Sequence, residues 1–357
     1  MRSVLFCGFG WASRRLWLPA LEAAGFTEFG VLDEHVPARD LETAGATRAH
    51  HSPEELRPGQ YDVAVVASPN VTHADVARIP LERGIPTVVE KPVCVDLAGL
   101  ETLRDAAARG GSRVLRSWST RYDPHVARFL EHVRSEGPAR LDRVSVSWVR
   151  ESGVPGSPWL TRAEHAAAGS SVDLGWHLLE CALALTGYGP VELLSASFEH
   201  LGPGAGGAGH VASWHGRPDG PTEVDVDTGS RLSLVSGGTA IDLRTAWRSE
   251  GPGDTVTIEV MGPGFRSRLT TILGMSDALV REPVIETARD GGVTRTALDP
   301  KPRGTAHALM VADFVARGFD PVLLGQSWEQ LEVLTSAASA VVEAHGRWRA
   351  VVHAGVS

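Results

Sequence analysis

The 357-residue chain predicts an α/β architecture, an N-terminal doubly wound parallel sheet followed by an α+β domain with an open, mostly antiparallel sheet. Three observations carry this. Short apolar strand patterns alternate with helical stretches over roughly the first 120 residues, as βαβ units require. A Gly8-x-Gly10 pair stands between the first strand and the first helix. Beyond Asp123-Pro124 the alternation gives way to longer strand-like runs joined by turns rich in Gly, Pro and Asp. The domains expected are therefore 1–120 and 121–357.

The elements follow in order. Residues 3–7 form an apolar strand and 11–24 a helix closed by Gly25. A second strand, 28–32, ends in Asp33-Glu34. Ser52-Pro53-Glu54-Glu55 reads as a capping box with proline at the first helical position. Then come strand 62–67, helix 72–83 (bent by Pro80), strand 86–89, a helix capped by Asp96 and running to about Gly110, and strand 113–117. In the second half Asp123-Pro124 opens a helix. Strands are expected at 141–150, 191–198, 223–226, 231–236, 239–247 and 255–261. The low-complexity stretch 202–209 reads as a hairpin excursion, and helices at 305–317 and 327–345 close the chain.

Composition excludes several classes. Acidic side chains number 43 against 34 basic ones, a net charge of −9, and no Lys/Arg run is long enough to track a nucleic-acid backbone. Cys7, Cys94 and Cys181 have neither metal-ligand nor redox spacing, so no metal is expected and a reducing compartment is. No basic-then-apolar leader and no apolar stretch of membrane-spanning length is present. The expectation is a cytoplasmic protein that binds neither nucleic acid nor membrane.

Only two of the 34 basic residues are lysines, and one of them, Lys91, follows the buried strand pattern Thr87-Val88-Val89. Open α/β sheets bind ligands beyond the carboxyl ends of their strands. A lysine placed there offers a compact ammonium that arginine cannot replace; the alternative is a surface lysine left by chance. Gly8 permits a tight turn, and Gly10 allows a pyrophosphate to approach the backbone and the helix N-terminus. The third position of the G-x-G-x-x-G pattern is Ser13. Asp33, at the end of the second strand, is placed to accept from adenosine ribose hydroxyls, and with Glu34 it would repel a 2′-phosphate. NAD is thus favoured over NADP; the alternative is that Asp33 merely caps a turn. Asp173 and His177 are i,i+4 on a helix, with Glu180 beyond, and an acid–histidine pair is suited to proton transfer near neutral pH. Most such pairs are structural.

Taken together, Gly8-x-Gly10, Ser68-Pro69-Asn70-Val71-Thr72-His73, Glu90-Lys91-Pro92, Arg121-Tyr122-Asp123-Pro124 and Asp173-Leu174-Gly175-x-His177 resemble the glucose–fructose oxidoreductase/inositol dehydrogenase (Gfo/Idh/MocA) family. Departures are Ser13, the run Ala168-Gly169-Ser170-Ser171 where a glycine cluster is frequent, and Glu180 where an aspartate is frequent. The resemblance implies a Rossmann domain and an α+β domain whose open sheet often supports oligomerisation, hence a homodimer or homotetramer. It implies that Lys91, Asp173 and His177 surround the carbon exchanging hydride. Gly8, Gly10, Trp11, Ala12, Asp33, Ser68, Pro69, Asn70, His73, Glu90 and Lys91 would contact the cofactor. His177 is the expected base, Lys91 the donor to the same oxygen, and Asp173 the holder of substrate hydroxyls or of the histidine; the roles of Lys91 and His177 are exchangeable.

The substrate expected is a sugar, amino sugar or cyclitol interconverting between secondary alcohol and ketone, with aminoglycoside or other natural-product sugar biosynthesis as a candidate setting. Lys91, Arg121, Trp159, Asp173 and His177 are the substrate candidates, with Arg162, Glu164 and His165 beside Trp159. Trp118, Trp159 and Trp176 could offer indole faces to a sugar, though packing is the commoner use. Two other functions fit the same resemblance: a non-catalytic sensor that binds NAD, and an NAD-dependent glycosidase.

Overall fold

The computed structural model describes residues 2–151, 153–200, 224–248, 253–274 and 282–354. Contacts divide the chain into two compact units, Met1–Ser119 with His307–Thr335, and Thr120–Ala306 with Ser336–Ser357. Residues 307–335 group with the N-terminal unit.

The first unit is built on six parallel strands: β1 (Arg2–Cys7), β2 (Phe26–Leu32), β3 (Arg48–His50), β4 (Val63–Val66), β5 (Thr87–Val89) and β6 (Val114–Arg116). Their order in the sheet is β3-β2-β1-β4-β5-β6. This is the doubly wound order, and it reverses direction between β1 and β4, the switch point where such sheets bind ligands. Every residue of β4 and β5 is buried, which is why these strands read as unbroken apolar runs. After β1 a π-helical turn (Ser13–Trp17) leads into helix α1 (Leu18–Ala23). Further helices are α2 (Ala38–Thr43), α3 (His73–Glu82) and α4 (Leu97–Gly110). The Asp96 side chain caps α4 by accepting from Gly99 N–H at 2.7 Å, and Gly111 ends it in the left-handed conformation at φ 59°. The capping box expected at Ser52 is not formed: Pro53–Glu55 is one 3-10 turn without a side-chain cap, and Glu55 accepts from His51 N–H at 3.3 Å instead.

In the second unit α5 (Pro124–Glu136) starts at an Asp123 cap, as expected, with Asp123 Oδ1 accepting from His125 N–H at 3.0 Å. Strand β7 (Arg143–Val149) follows, then short helices α6 (Pro158–Thr161), α7 (Ala163–Ala166) and α8 (Ser170–Asp173), and α9 (Gly175–Thr186). Strands β8 (Val191–Glu199), β9 (Gly229–Ser236), β10 (Thr239–Ala246), β11 (Thr255–Gly262), β12 (Phe265–Thr271), β13 (Val284–Arg289) and β14 (Gly292–Ala297) complete the sheet. Its order is β14-β13-β12-β11-β7-β10-β9-β8, antiparallel except for the β7–β10 pair. Helices α10 (Thr305–Ala316) and α11 (Trp328–Ala354) close the chain.

Three of these strands, β12, β13 and β14, were not anticipated. Conversely, residues 224–226 of the expected strand 223–226 are loop, and residue 223 and the expected hairpin at 202–209 lie outside the described residues. No helix among the described residues is long and apolar enough to cross a membrane.

Candidate functional site

In the first unit the carboxyl ends of β2, β1, β4 and β5 carry, side by side, Asp33, the glycine turn, Ser68 and Glu90-Lys91. Gly8 has φ 89°, and a Cβ there would lie 2.8 Å from Ser68 N, so only glycine lets β1 turn so close to the β4 loop. A Cβ on Gly10 would meet nothing within 4 Å, which leaves the backbone of the turn open to a ligand. Trp11 and Ala12, both half-buried, follow directly as the first helical residues.

Ser13 accounts for its place in the pattern. It is fully buried, and its hydroxyl donates to Gly8 O at 2.6 Å, closing the turn where a glycine would leave it looser. Asp33 completes the closure: Oδ2 accepts from Phe9 N–H at 2.8 Å and Oδ1 from His35 N–H at 2.9 Å. Each carboxylate oxygen keeps a further lone pair for a ribose hydroxyl. Burial, and then the Asp33 charge, pushes the Cys7 thiol up to about 12, so it stays protonated and behaves as core.

Glu90, half-buried at the end of β5, is fixed by three donors. Trp17 Nε1–H donates to Oε1 at 2.7 Å, the Ser117 hydroxyl to the same oxygen at 3.0 Å, and Lys91 N–H to Oε2 at 3.0 Å. Burial alone would raise its pKa. His307 and these donors more than offset burial, and the carboxyl lies below the ordinary value. Burial pushes the His307 ring down to about 4, against the pull of Glu90, so His307 is neutral near pH 7 and the hydrogen bonds hold the Glu90 charge. The Lys91–Pro92 bond is cis, and Lys91 itself is half-exposed.

His73 is buried, with Nδ1 2.6 Å from Pro92 O and Nε2 2.8 Å from Ser68 O. Both ring nitrogens face protein carbonyls, and the neutral ring donates its one N–H to either Pro92 O or Ser68 O. Asn70 is also buried, while Ser68 and Pro69 remain half-exposed on the loop.

In the second unit the central strands β7, β10 and β11 bring Arg150, Trp247 and Asp254 to one end of the sheet. Asp173 Oδ2 accepts from Trp247 Nε1–H at 3.0 Å, and Arg150 forms a buried ion pair with Asp254 at 3.3 Å. Burial pushes the Arg150 pKa down, opposed first by Asp254 and then by Asp173, so Asp173 belongs to this charge cluster. From Ser171 to Glu180 every residue is buried except His177, which is half-exposed. Its Nδ1 lies 2.8 Å from Thr120 Oγ1, and its ring centroid is 5.7 Å from that of Trp148. The backbone places Asp173 and His177 one turn apart across the junction of α8 and α9, as the i,i+4 spacing predicts.

Arg121 is exposed in the 3-10 turn Ser119–Tyr122, and Trp159 is half-buried in α6. Trp118 and Trp176 are 3% and 2% exposed, so both pack rather than offer an indole face to a sugar. The Arg116 guanidinium lies 4.3 Å over Trp118, and Trp176 lines a small internal cavity with Leu179, Leu232, Leu234 and Leu243. Arg162 lies 3.9 Å from Asp225 and equally far from Glu164.

Two residues in this unit were not anticipated. Thr120 meets His177, and nothing in the sequence marks it beyond adjacency to Arg121-Tyr122-Asp123-Pro124. Asp227 is fully buried and organises the turn before α8. Oδ1 accepts from Gly169 N–H and Ser171 Oγ, both at 2.8 Å, and Oδ2 from Ser170 Oγ and Ser171 N–H, both at 2.9 Å. A Cβ on Gly169 would lie 1.9 Å from Asp227 O, so that glycine is obligatory. The two serines that depart from a glycine cluster are ligands of this carboxylate. Among the described residues, no group of three or more His, Cys, Asp or Glu side chains could hold a metal ion.

A doubly wound sheet with an open glycine turn and an acidic end to its second strand, followed by an open mixed sheet, defines the class of two-domain dinucleotide-binding oxidoreductases. Comparison with known proteins agrees. Residues 2–116 match the model of the oxidoreductase family with an NAD-binding Rossmann fold, GFO_IDH_MocA. A protein of Amycolatopsis mediterranei (strain S699), named for a role as the oxidoreductase subunit of a UDP-kanosamine synthase, is 32% identical over 337 residues, 92% of each chain. KijD10, a 3-ketoreductase from Actinomadura kijaniata solved with NADP and TDP-benzene, shares the fold at TM-score 0.70 and 19% identity over 96% of each chain. GenD2 from gentamicin A biosynthesis, solved with NAD, does so at TM-score 0.69 and 21% identity over 98% of this chain and 94% of that one. The chain belongs to the Gfo/Idh/MocA family of oxidoreductases.

Proposed function

We propose that the protein interconverts a secondary alcohol and a ketone on a sugar, amino sugar or cyclitol, using NAD(H). The observation that carries the reading is the carboxyl edge of the parallel sheet. There an open glycine turn, a carboxylate at the end of β2 and, at the end of β5, a lysine whose backbone N–H is held by Glu90 stand in strand order. These residues fit a dinucleotide: the turn leaves backbone at Gly10 open, and Asp33 keeps lone pairs for the ribose while its charge disfavours a 2′-phosphate. When bound, the nicotinamide supplies the hydride acceptor or donor.

The chain's own residues must then manage one proton and one developing negative charge on the substrate oxygen. Lys91 and His177 divide these tasks, one exchanging the proton and the other donating a hydrogen bond. Asp173, which accepts from Trp247 Nε1–H, is assigned to holding substrate hydroxyls or orienting the histidine. Relatives named for sugar oxidoreductions and a half-exposed His177 among buried neighbours support the assignment.

The test is nicotinamide absorbance on mixing the protein with NAD or NADH and a panel of sugars, amino sugars, nucleotide-linked sugars and cyclitols and their keto forms. Substrate-dependent absorbance change is expected with at least one class. Cofactor binding with no turnover on any of them would contradict the reading.

A further inference from the structure

The glycine turn is gripped at both ends by groups of opposite charge. Asp33 Oδ2 accepts from Phe9 N–H at 2.8 Å, and Arg14 Nε–H donates to Phe9 O at 2.9 Å. All three residues belong to the first unit. Acid and base thus stand at the two peptide groups of one residue, yet no ion pair joins them among the described residues.

Side chains on a helix lean toward its N-terminus, and Arg14 does so from the turn Ser13–Trp17. Its guanidinium carbon lies 4.8 Å from the centroid of the Phe9 ring, which stacks on Phe29 of β2 at 5.5 Å and 23°. One hydrogen bond and one ring face therefore pin the guanidinium over side chains shared by the turn and β2. Capping a single carbonyl uses one of its five N–H donors. Among the described residues its two terminal amino groups have no partner, and the residue is exposed. A fork held in this way is preorganised for a phosphate, because little side-chain freedom is left to lose on binding. Arg15, the next residue, is equally exposed and has neither a hydrogen bond nor a ring contact among the described residues.

The part of a dinucleotide that meets the end of the second strand is the adenosine ribose. A carboxylate there serves a free 2′-hydroxyl, whereas an arginine nearby serves a 2′-phosphate. We propose that Arg14 is a cofactor-specificity residue whose terminal amino groups take the 2′-phosphate of NADP(H). The first unit then admits both nicotinamide dinucleotides, with Asp33 favouring NAD(H) and Arg14 narrowing the difference. Arg14 offsets the repulsion from Asp33 and from Glu34, whose exposed carboxylate lies 3.6 Å from His35. The inference rests on the reading above that this unit binds a nicotinamide dinucleotide.

The experiment is titration of the full-length protein with NADH and with NADPH, followed by nicotinamide fluorescence at low and at moderate salt. Arg14→Gln should weaken NADPH binding by roughly 10-fold and NADH binding by less than about twofold. Arg14→Lys, which keeps the charge and loses the fork, should recover part of the NADPH affinity. Arg15→Gln, a matched loss of one charge, should change neither. The steeper salt dependence of NADPH binding should fall to that of NADH in Arg14→Gln. Equal weakening of both cofactors would put Arg14 at the shared pyrophosphate or in the fold of the turn, and overturns the proposal. Unchanged NADPH affinity in Arg14→Gln overturns it too, as does tight NADH binding by an unmutated protein that does not bind NADPH. Failure of both cofactors to bind would overturn the dinucleotide reading itself, and this inference with it.

Discussion

Asp33 has one structural role and one proposed role. Its carboxylate ties the glycine turn to β2 through Phe9 N–H, and the proposed function gives its charge the ribose of the cofactor. Asp33→Ala should weaken NADH binding and narrow the gap between NADH and NADPH affinity, measured by nicotinamide fluorescence on titration; an unchanged ratio would refute the ribose role. Lysine rarity, by contrast, proves an ambiguous guide. The other lysine, Lys301, is half-buried in an ion pair with Asp123 at the start of α5, where partial burial pushes its pKa down against the pull of that carboxylate. Scarcity therefore picked out one residue at a strand end and one within the packing. What distinguishes Lys91 is its place after β5 and the Glu90 anchor beneath it. His73, whose motif suggested a cofactor contact, has both ring nitrogens within hydrogen-bond distance of protein carbonyls.

At the scale of elements, the turn before α8 depends on a carboxylate more than fifty positions downstream. Asp227→Ala would strand two N–H groups and two hydroxyls in a buried site, and should destabilise the protein by roughly 3 kcal/mol in denaturant titration. A loss indistinguishable from that of an exposed Asp-to-Ala control would show the carboxylate to be dispensable. The sequence concealed this because Val224-Asp225-Val226-Asp227 alternates like a half-buried strand. The alternation is real, but the carboxylates turn inward to helix starts: Asp225 accepts from Ala163 N–H at 2.7 Å, and Asp227 from the 169–171 turn. Strand β12 failed in the opposite way. Its inward positions are Phe265, Ser267, Leu269 and Thr271, all buried, but half are hydroxyl residues paired within the unit, so the apolar period is diluted. Strand β14 is exposed along its whole length and is defined by pairing with β13, which no hydrophobic pattern can reveal. The parallel sheet was legible because strands buried on both faces must be apolar throughout.

For the whole molecule, buried histidines set the response to acid. His307 packs edge-on against Trp17 at 4.5 Å, and its pKa falls from 6.5 to about 4 through burial, opposed by Glu90. A histidine kept neutral in the fold but protonated when unfolded makes the unfolded state bind the extra proton. Stability is then full above pH 6.5 and falls as pH drops toward 4. Over pH 7 to 4.5 the His307 contribution is roughly 2–3 kcal/mol. Burial lowers His73, His50, His125 and His345 as well, so their signs agree. Glu90, held below its ordinary value, adds stability above about pH 4.5 that is lost as pH falls through its lowered pKa. Denaturant titrations at both pH values should show a shallower acid dependence for His307→Gln; an identical slope would contradict this.

The most direct test of the account is the nicotinamide absorbance assay run in parallel on the unmutated protein and Lys91→Met. The account predicts substrate-dependent absorbance change in the unmutated protein, slowed by roughly 10²-fold or more in Lys91→Met, with cofactor affinity retained within a few fold. Equal turnover by the two proteins would contradict it.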